Sequence, residues 1–140
     1  MIFGRRKRRI ERILIVEDEP LVAFDNEHVL GDAGYRVVAT VDTVADAVAA
    51  LEDGADLVLA DVSLSDGGNG IDVAQAAKAR GTPLLFVTGA CPVDAQALAV
   101  GCLAKPYSQR DLLAAIEAVD ARLGGERVRR APPGLTLFEA

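Results

Sequence analysis

Short apolar segments alternate with longer segments of helical spacing along most of this chain. The short segments are rich in Val, Ile and Leu without polar alternation, which is typical of strands buried on both faces of a parallel sheet. They are Ile13–Val16, Val37–Ala39, Leu57–Ala60, Leu84–Val87 and Cys102–Ala104. The alternation predicts an α/β fold in which a doubly wound, five-stranded parallel sheet is flanked by five helices.

The segments between the apolar runs carry helical signals of different strength. The last one repeats Leu112, Ile116, Val119 and Leu123 at helical spacing, and Ser108 precedes it as a candidate N-cap. The other predicted helices are Pro20–Ala33, the stretch Val44–Leu51, Asn69–Arg80 and a shorter Pro92–Val100.

The chain length and the distribution of charge predict one acidic domain with differently charged ends. A chain of 140 residues fits a single domain. Residues 1–12 carry a net charge of +5 and residues 124–140 carry +1, so a total of −6 leaves −12 on residues 13–123. We therefore expect a basic N-terminal arm over residues 1–10, a folded domain over 11–123 and a flexible C-terminal tail over 124–140. Such an acidic body repels nucleic acid and membrane headgroups but attracts Mg²⁺ and basic protein surfaces.

Three further features leave two interpretations each. Residues 134–138 are either part of a disordered tail or a short docking segment. The run Arg5–Arg9 either solubilises the chain or contacts nucleic acid or lipid, and we favour the first. Cys91 and Cys102 are expected to be reduced packing residues, with a redox pair as the alternative.

No apolar run has the length of a membrane span or a signal-peptide core, so a cytoplasmic location is expected.

Polar residues directly follow four of the predicted strands. They are Glu17-Asp18-Glu19, Asp61, Thr88 and Lys105. Ligands of open parallel sheets bind beyond the carboxyl ends of the strands, so these side chains should meet at one edge. Crowded carboxylates repel one another unless a cation lies between them, which makes Glu17, Asp18 and Asp61 a candidate Mg²⁺ site.

The same residues carry a resemblance to a known family. Glu17-Asp18-Glu19-Pro20, the Asp61 that ends Leu57–Asp61, Thr88-Gly89 and Lys105-Pro106 stand in the order seen in the receiver domain of two-component response regulators, the CheY-like fold. The resemblance covers about residues 11–123. It implies a five-stranded flavodoxin-like sheet with the site at its carboxyl edge.

The resemblance also implies a role for each residue of the site. Asp61 would accept a phosphoryl group, Asp18 would ligate Mg²⁺ directly, Glu17 would do so through water, and the backbone carbonyl of Ser63 would add a ligand. Thr88 and Lys105 would contact the phosphoryl oxygens, since a hydroxyl and an ammonium neutralise charge there. The switch and modulating positions would be Ser63, Gly89, Ala90, Cys102 and Pro106.

One departure from the family pattern concerns the switch. Typical members have Tyr or Phe three residues before the lysine, where this chain has Cys102. Together with the stretch Pro83–Gly89, this resembles the FAT GUY subgroup of single-domain receivers. We therefore expect switching through ordering of Pro92–Val100 instead of ring rotation.

The resemblance implies a signalling module rather than an enzyme, with self-catalysed phosphorylation and dephosphorylation. The phosphoryl donor would be a histidine kinase or a histidine phosphotransfer protein. The output would be a downstream protein target reached through about Pro92–Leu123, with no nucleic acid or membrane partner.

One alternative is a phosphate sink or kinase-modulating receiver without a direct effector. A remote alternative is a haloacid-dehalogenase-type phosphohydrolase, which needs a second aspartate where this chain has Ser63. A receiver that has lost phosphorylation is disfavoured because Asp61, the acids, Thr88 and Lys105 are all present.

Overall fold

The computed structural model of the chain describes residues 8–64, 67–128 and 130–139. Within these ranges it forms six strands, four α-helices and one 3-10 helix. The strands are β1 (Arg12–Val16), β2 (Arg36–Val41), β3 (Leu57–Ala60), β4 (Leu84–Thr88), β5 (Gly101–Ala104) and β6 (Leu135–Leu137). The helices are α1 (Pro20–Asp32), α2 (Val44–Glu52), α3 (Gly70–Ala79), the 3-10 helix (Val93–Leu98) and α4 (Gln109–Leu123).

The sheet has the order β2-β1-β3-β4-β5-β6. The first five strands are parallel, which confirms the predicted α/β architecture. The expected count of five strands is wrong by one, because β6 adds an antiparallel strand to the edge of β5.

Two apolar layers cover the two faces of the sheet. On one face Ile15, Leu59 and Leu103 pack with α1 and α4. On the other face Leu14, Val58 and Phe86 pack with α2, α3 and the 3-10 helix. Burial on both faces explains why the strand sequences lack polar alternation.

Side-chain caps fix where three of the helices begin. The Ser108 Oγ accepts a hydrogen bond from the Asp111 amide at 3.0 Å, so the predicted N-cap of α4 is confirmed. Thr43 and Asn69 cap α2 and α3 in the same way. Among the described residues, no helix has both the length and the apolar composition needed to cross a bilayer.

The expectation of a flexible tail over residues 124–140 is wrong for its last third. The Phe138 side chain is buried in the core, and its amide donates to the Val100 carbonyl at 3.0 Å. The Arg122 guanidinium donates to the Phe138 carbonyl at 2.8 Å. The edge of β5 offers unpaired backbone groups, and a segment with alternating Leu residues and a Phe satisfies them while burying apolar surface. Arg129 and Ala140 lie outside the described residues.

The expected start of the domain at residue 11 is also wrong. Ile10 is fully buried, and the amides of Arg9 and Ile10 each donate to Asp120 Oδ2 at 3.0 Å. The Arg8 guanidinium lies 4.3 Å from the ring centroid of Tyr35. Residues 8–10 therefore belong to the folded body, while residues 1–7 of the predicted basic arm lie outside the described residues.

The cysteines are not reduced packing residues, because Cys91 and Cys102 form a disulfide with their Cα atoms 6.0 Å apart. Cys91 lies in the loop after β4 and Cys102 lies on the neighbouring strand β5, so the sheet brings together two positions that are 11 residues apart in sequence. The predicted fourth helix, Pro92–Val100, is a 3-10 helix over Val93–Leu98 with non-helical dihedral angles at Ala95.

Candidate functional site

The polar residues that follow the strands meet at the carboxyl edge of the sheet. Glu17 and Asp61 follow the adjacent strands β1 and β3, and Lys105 follows β5. The Lys105 Nζ lies 2.8 Å from Asp61 Oδ2 and 2.9 Å from Glu17 Oε1. The ammonium therefore reaches from the end of β5 past the end of β4 to the ends of β3 and β1. A third contact joins it to Glu19 Oε1 at 3.0 Å. The convergence predicted from the strand order is confirmed for these residues.

Four carboxylates form one cluster around the ammonium. Each of Glu17, Asp18, Glu19 and Asp61 offers an oxygen within 4.8 Å of the others. Glu17 and Asp61 are buried, Asp18 is half-buried and Glu19 is exposed, so the cluster opens toward solvent on one side. One ammonium cannot neutralise four carboxylates, which leaves the cluster with surplus negative charge.

The donor set fits a hard divalent cation. The Glu17 Oε1 atom is buried and has no hydrogen bond of normal geometry from any residue that the structure describes, with the Lys105 ammonium as its charged neighbour. Mg²⁺ prefers carboxylate and carbonyl oxygens and usually keeps several waters, which a cluster open on one side allows. Glu17, Asp18 and Asp61 therefore provide the oxygen ligands that such an ion requires.

The pKa values of Glu17 and Lys105 are both raised, the first by burial and the second by ion pairing. Burial raises the pKa of Glu17 above its ordinary value, although the nearby Lys105 ammonium opposes this shift. Burial alone would lower the pKa of Lys105, but its close contacts with the three carboxylates outweigh that effect and raise it. Lys105 therefore stays protonated as the resident cation of the site.

The loop after β3 fixes the backbone of Asp61. Asp61 Oδ1 accepts a hydrogen bond from the Val62 amide at 2.7 Å, while Oδ2 faces Lys105. Ser63 pairs with Asn69 in an isolated antiparallel bridge that closes the loop. A Cβ at Gly70 would collide with the Asp61 carbonyl oxygen, so α3 begins directly against the backbone of Asp61.

Thr88 ends β4 beside the cluster, but its side chain is engaged locally. The Thr88 Oγ1 accepts from the Ala90 amide at 3.4 Å, and the Thr88 carbonyl accepts from the Lys105 amide at 2.8 Å. Its hydroxyl makes no hydrogen bond to the carboxylates in the part of the chain that the structure describes. A Cβ at Gly89 would meet no atom within 4 Å, so the approach over this loop is open.

The two other switch positions lie on either side of the site. Cys102 is fully buried on β5 and is disulfide-bonded, so it faces the core and not the carboxylates. Pro106 follows Lys105 through a cis peptide bond and is exposed. The roles assigned to Ser63, Gly89 and Ala90 stay predictions.

A neighbouring cavity includes residues that the sequence analysis missed. It has a volume of about 440 Å³ and lies between α1 and the loop after β5. The Asn26 amide donates to the Tyr107 hydroxyl at 3.0 Å, and burial raises the pKa of Tyr107. Both are polar residues within segments dominated by other signals, and their pairing over 81 residues of sequence has no local pattern that could predict it.

Residues 13–117 match the family described as the response regulator receiver domain. The chain belongs to this family. Receiver domains are signalling domains that in general accept a phosphoryl group, and they bind Mg²⁺ at an acidic pocket. Membership in the FAT GUY subgroup stays a prediction.

Curated relatives extend the comparison. The chain is 35% identical over 118 residues to the transcriptional regulatory protein PdtaR of Mycobacterium tuberculosis, which covers 79% of this chain and 57% of the relative. It is 38% identical over 79 residues to the phyllosphere-induced regulator PhyR of Methylorubrum extorquens, which covers 54% of this chain and 30% of the relative. The matched region therefore spans about a third to just over half of these relatives' length.

Solved structures show the same fold. The signal receiver domain of a modulated diguanylate cyclase from Desulfovibrio desulfuricans is 29% identical with a TM-score of 0.74, covering 84% of this chain and 99% of that one. A CheY-like receiver domain from Methanospirillum hungatei is 28% identical with a TM-score of 0.69, covering 83% and 95%. The response regulator PhyR from Brucella abortus has a TM-score of 0.62 at 29% identity over 74% of this chain and 44% of that one.

Proposed function

We propose that this protein is a cytoplasmic phosphorelay receiver that takes a phosphoryl group onto Asp61 from a phosphohistidine of a histidine kinase or phosphotransfer protein. The observation that carries the proposal is the ion pair between Lys105 and Asp61 at 2.8 Å, set among the carboxylates of Glu17 and Asp18. A buried carboxylate that faces a fixed ammonium and a candidate metal site has the parts that phosphoryl transfer requires.

In the proposed step, an Asp61 carboxylate oxygen forms a bond to phosphorus as the bond from phosphorus to the donor histidine nitrogen breaks. Asp61 Oδ2 faces the Lys105 ammonium, so a phosphoryl group added there meets a cation without a large rearrangement. The Thr88 hydroxyl would turn from the Ala90 amide to donate to a second phosphoryl oxygen. These contacts neutralise charge on the transferred group.

Glu17, Asp18, Asp61 and the Ser63 backbone carbonyl would hold Mg²⁺. When bound, this ion supplies charge neutralisation and orientation to the phosphoryl oxygens. The buried Glu17 Oε1, which accepts no normal hydrogen bond within the described ranges, supports this ligand set. The same ion would relieve the repulsion that the surplus carboxylates create in its absence.

The output is proposed to be contact with another protein. A similar structure is that of the anti-anti-sigma factor PhyR from Bartonella quintana, at 26% identity and a TM-score of 0.60. Family membership argues against the haloacid-dehalogenase alternative, and Ser63 occupies the place of its second aspartate. A sink or kinase-modulating role uses the same chemistry at Asp61 and differs in the fate of the phosphoryl group and in the protein that responds to it.

The test adds a small phosphodonor, acetyl phosphate, with Mg²⁺ and monitors the intact mass. We expect one phosphoryl adduct that is stable in acid and labile in base, and its loss in Asp61→Asn or when Mg²⁺ is removed with a chelator. Asp53→Asn is the matched control, because Asp53 is an exposed carboxylate at the end of α2 and outside the cluster. An adduct that persists in Asp61→Asn would refute the assignment of the acceptor.

A further inference from the structure

The Cys91–Cys102 disulfide links the phosphoryl-facing loop to the core of the sheet. Cys91 is exposed and lies three residues after Thr88, whereas Cys102 is fully buried on β5. The bond therefore joins the loop that begins at the site to β5, the strand that directly precedes Lys105. Cys91 is therefore the end of the disulfide that faces solvent, and an incoming thiol would approach from its side.

The segment between the two cysteines has few other anchors. Within the 3-10 helix, Ala95 is the buried side chain among the described residues, and its small size limits the apolar area it buries. Leu98, Ala99 and Val100 are half-buried against the core layers, and the Val100 backbone pairs with Leu84 and Phe138. The Lys78 ammonium donates to the Ala97 carbonyl from a side chain at the surface. The part of the segment that precedes Leu98 therefore has few buried contacts and opens at low cost unless a covalent link restrains it.

We propose that Cys91–Cys102 is a redox-active disulfide, reduced by a protein or small-molecule dithiol, whose cleavage releases residues 91–100 from β5. The consequence for phosphorylation rests on the proposed function of Asp61. The disulfide itself does not depend on that function, because it is supported by the positions of the two cysteines.

The exchange balances as a two-electron transfer. A thiolate of the dithiol attacks the exposed Cys91 Sγ, the intramolecular S–S bond breaks, and its electron pair leaves on Cys102 Sγ, which takes a proton from water. The second thiol of the dithiol then loses its proton and attacks the dithiol-derived sulfur of the mixed disulfide. Cys91 leaves as a thiolate and is protonated. The chain gains two thiols and the dithiol becomes a disulfide.

A purely structural role fits the position less well. Disulfides are rare in cytoplasmic proteins, and those that occur there are mostly transient or redox-sensing. This one closes a short loop beside the site and does not connect distant parts of the core.

In the oxidised state the restrained loop would keep Ala90 and Thr88 near their resting positions. In the reduced state residues 91–100 would be free to rearrange when a phosphoryl group draws the Thr88 hydroxyl. The redox state would thus set how strongly phosphorylation at Asp61 changes the 3-10 helix and the surface around it.

The test measures amide hydrogen exchange in residues 91–100 of the oxidised and the dithiothreitol-reduced protein, with thiol alkylation to count free cysteines. After reduction of the folded protein, an acid quench and alkylation in denaturant, we expect two alkyl groups, because Cys102 is buried in the fold. Oxidised wild type treated in the same way without the dithiol should carry none. Closing a loop of this size should slow exchange in the segment by about tenfold or more. Cys91→Ser should exchange like the reduced form under both conditions, and Val93→Ala, an exposed change that keeps both cysteines, should behave like wild type.

Three results would overturn the proposal: a disulfide that does not form in oxidising buffer, one that a dithiol cannot reduce in the folded protein, or equal exchange rates in the two redox states. Beryllofluoride, a phosphoryl mimic, should alter exchange in 91–100 of the reduced form more than in the oxidised form. A difference between redox states without any response to beryllofluoride or any Asp61 adduct would refute the proposed phosphorylation while leaving the redox-active disulfide standing.

Discussion

Lys105 is the residue on which the resting electrostatics of the site depend. Its ammonium contacts three carboxylates within 3.0 Å, so it compensates charge at the place where a phosphoryl group would add more. The carboxylates that exceed one positive charge remain available to a divalent cation. A divalent cation bound there would differ from the Lys105 ammonium, because the ammonium is fixed by the chain and the metal ion could exchange with solvent.

Gly70 offers a test of how tightly the backbone of Asp61 is held. In Gly70→Ala the added Cβ would collide with the Asp61 carbonyl oxygen, a backbone atom that cannot rotate away. We expect the free energy of unfolding to fall by about 1–3 kcal/mol, and the rate of Asp61 phosphorylation by acetyl phosphate to fall with it. Urea unfolding and intact-mass kinetics measure the two effects.

Gly31→Ala is the matched control, since it makes the same change inside α1 where a Cβ meets no atom within 4 Å. Alanine is the better helix former, so this variant should be unchanged or more stable by up to about 1 kcal/mol. Equal stability of the two variants would contradict the close approach of α3 to Asp61.

At the scale of elements, β6 is the feature that changes the edge of the sheet. It pairs with β5 over Gly101, Cys102 and Leu103, and it covers backbone groups that a parallel edge strand would otherwise expose. Gly101 accommodates it, because a Cβ there would lie 2.5 Å from the Thr136 carbonyl oxygen. This edge lies within the region Pro92–Leu123 that the family resemblance implies for partner contact.

Phe138 should contribute most of the stability that the C-terminal segment adds. Its side chain is 7% exposed and packs against the layer that contains Phe86 and Cys102. Phe138→Ala should lower the free energy of unfolding by about 3 kcal/mol because it leaves a cavity in that layer. Phe24→Ala removes the same atoms from a side chain that is 57% exposed and should change stability by less than about 0.5 kcal/mol. Denaturant unfolding that gives both variants the same loss would show that Phe138 does not pack in solution.

The order of elements and the strand-end residues could be predicted because both depend on local patterns. Buried parallel strands have continuous apolar runs, and parallel topology sends every carboxyl end to one edge. The contacts that were missed depend on pairing over long sequence separations. Asn26 with Tyr107, Cys91 with Cys102, and β6 with β5 each join segments whose own patterns do not name the partner. The alternation of segments predicts a short helix over Pro92–Val100, whereas the structure has a 3-10 helix over Val93–Leu98 with non-helical dihedral angles at Ala95.

At the scale of the whole molecule, α4 holds both ends of the described chain. Asp120 accepts from the amides of Arg9 and Ile10, and Arg122 donates to the carbonyl of Phe138. The two contacts lie within a single turn of the last helix. Residues 9–10 and Phe138 therefore pack on the body of the domain, outside the limits of residues 11 and 123 that charge and composition indicate.

Asp120→Ala tests whether α4 anchors the N-terminal segment in this way. The carboxylate is 1% exposed and receives two amide hydrogen bonds at 3.0 Å, so its removal leaves the buried amide of Ile10 without its acceptor. Charge-assisted hydrogen bonds of this kind lead us to expect a loss of about 3 kcal/mol in the free energy of unfolding, and faster amide exchange at residues 9–12. Glu117→Ala removes the same charge from an exposed position on α4 and is the control for the change in net charge. If the two variants unfold at the same denaturant concentration, the N-terminal segment is not anchored by Asp120, because a general relief of negative charge would then account for both.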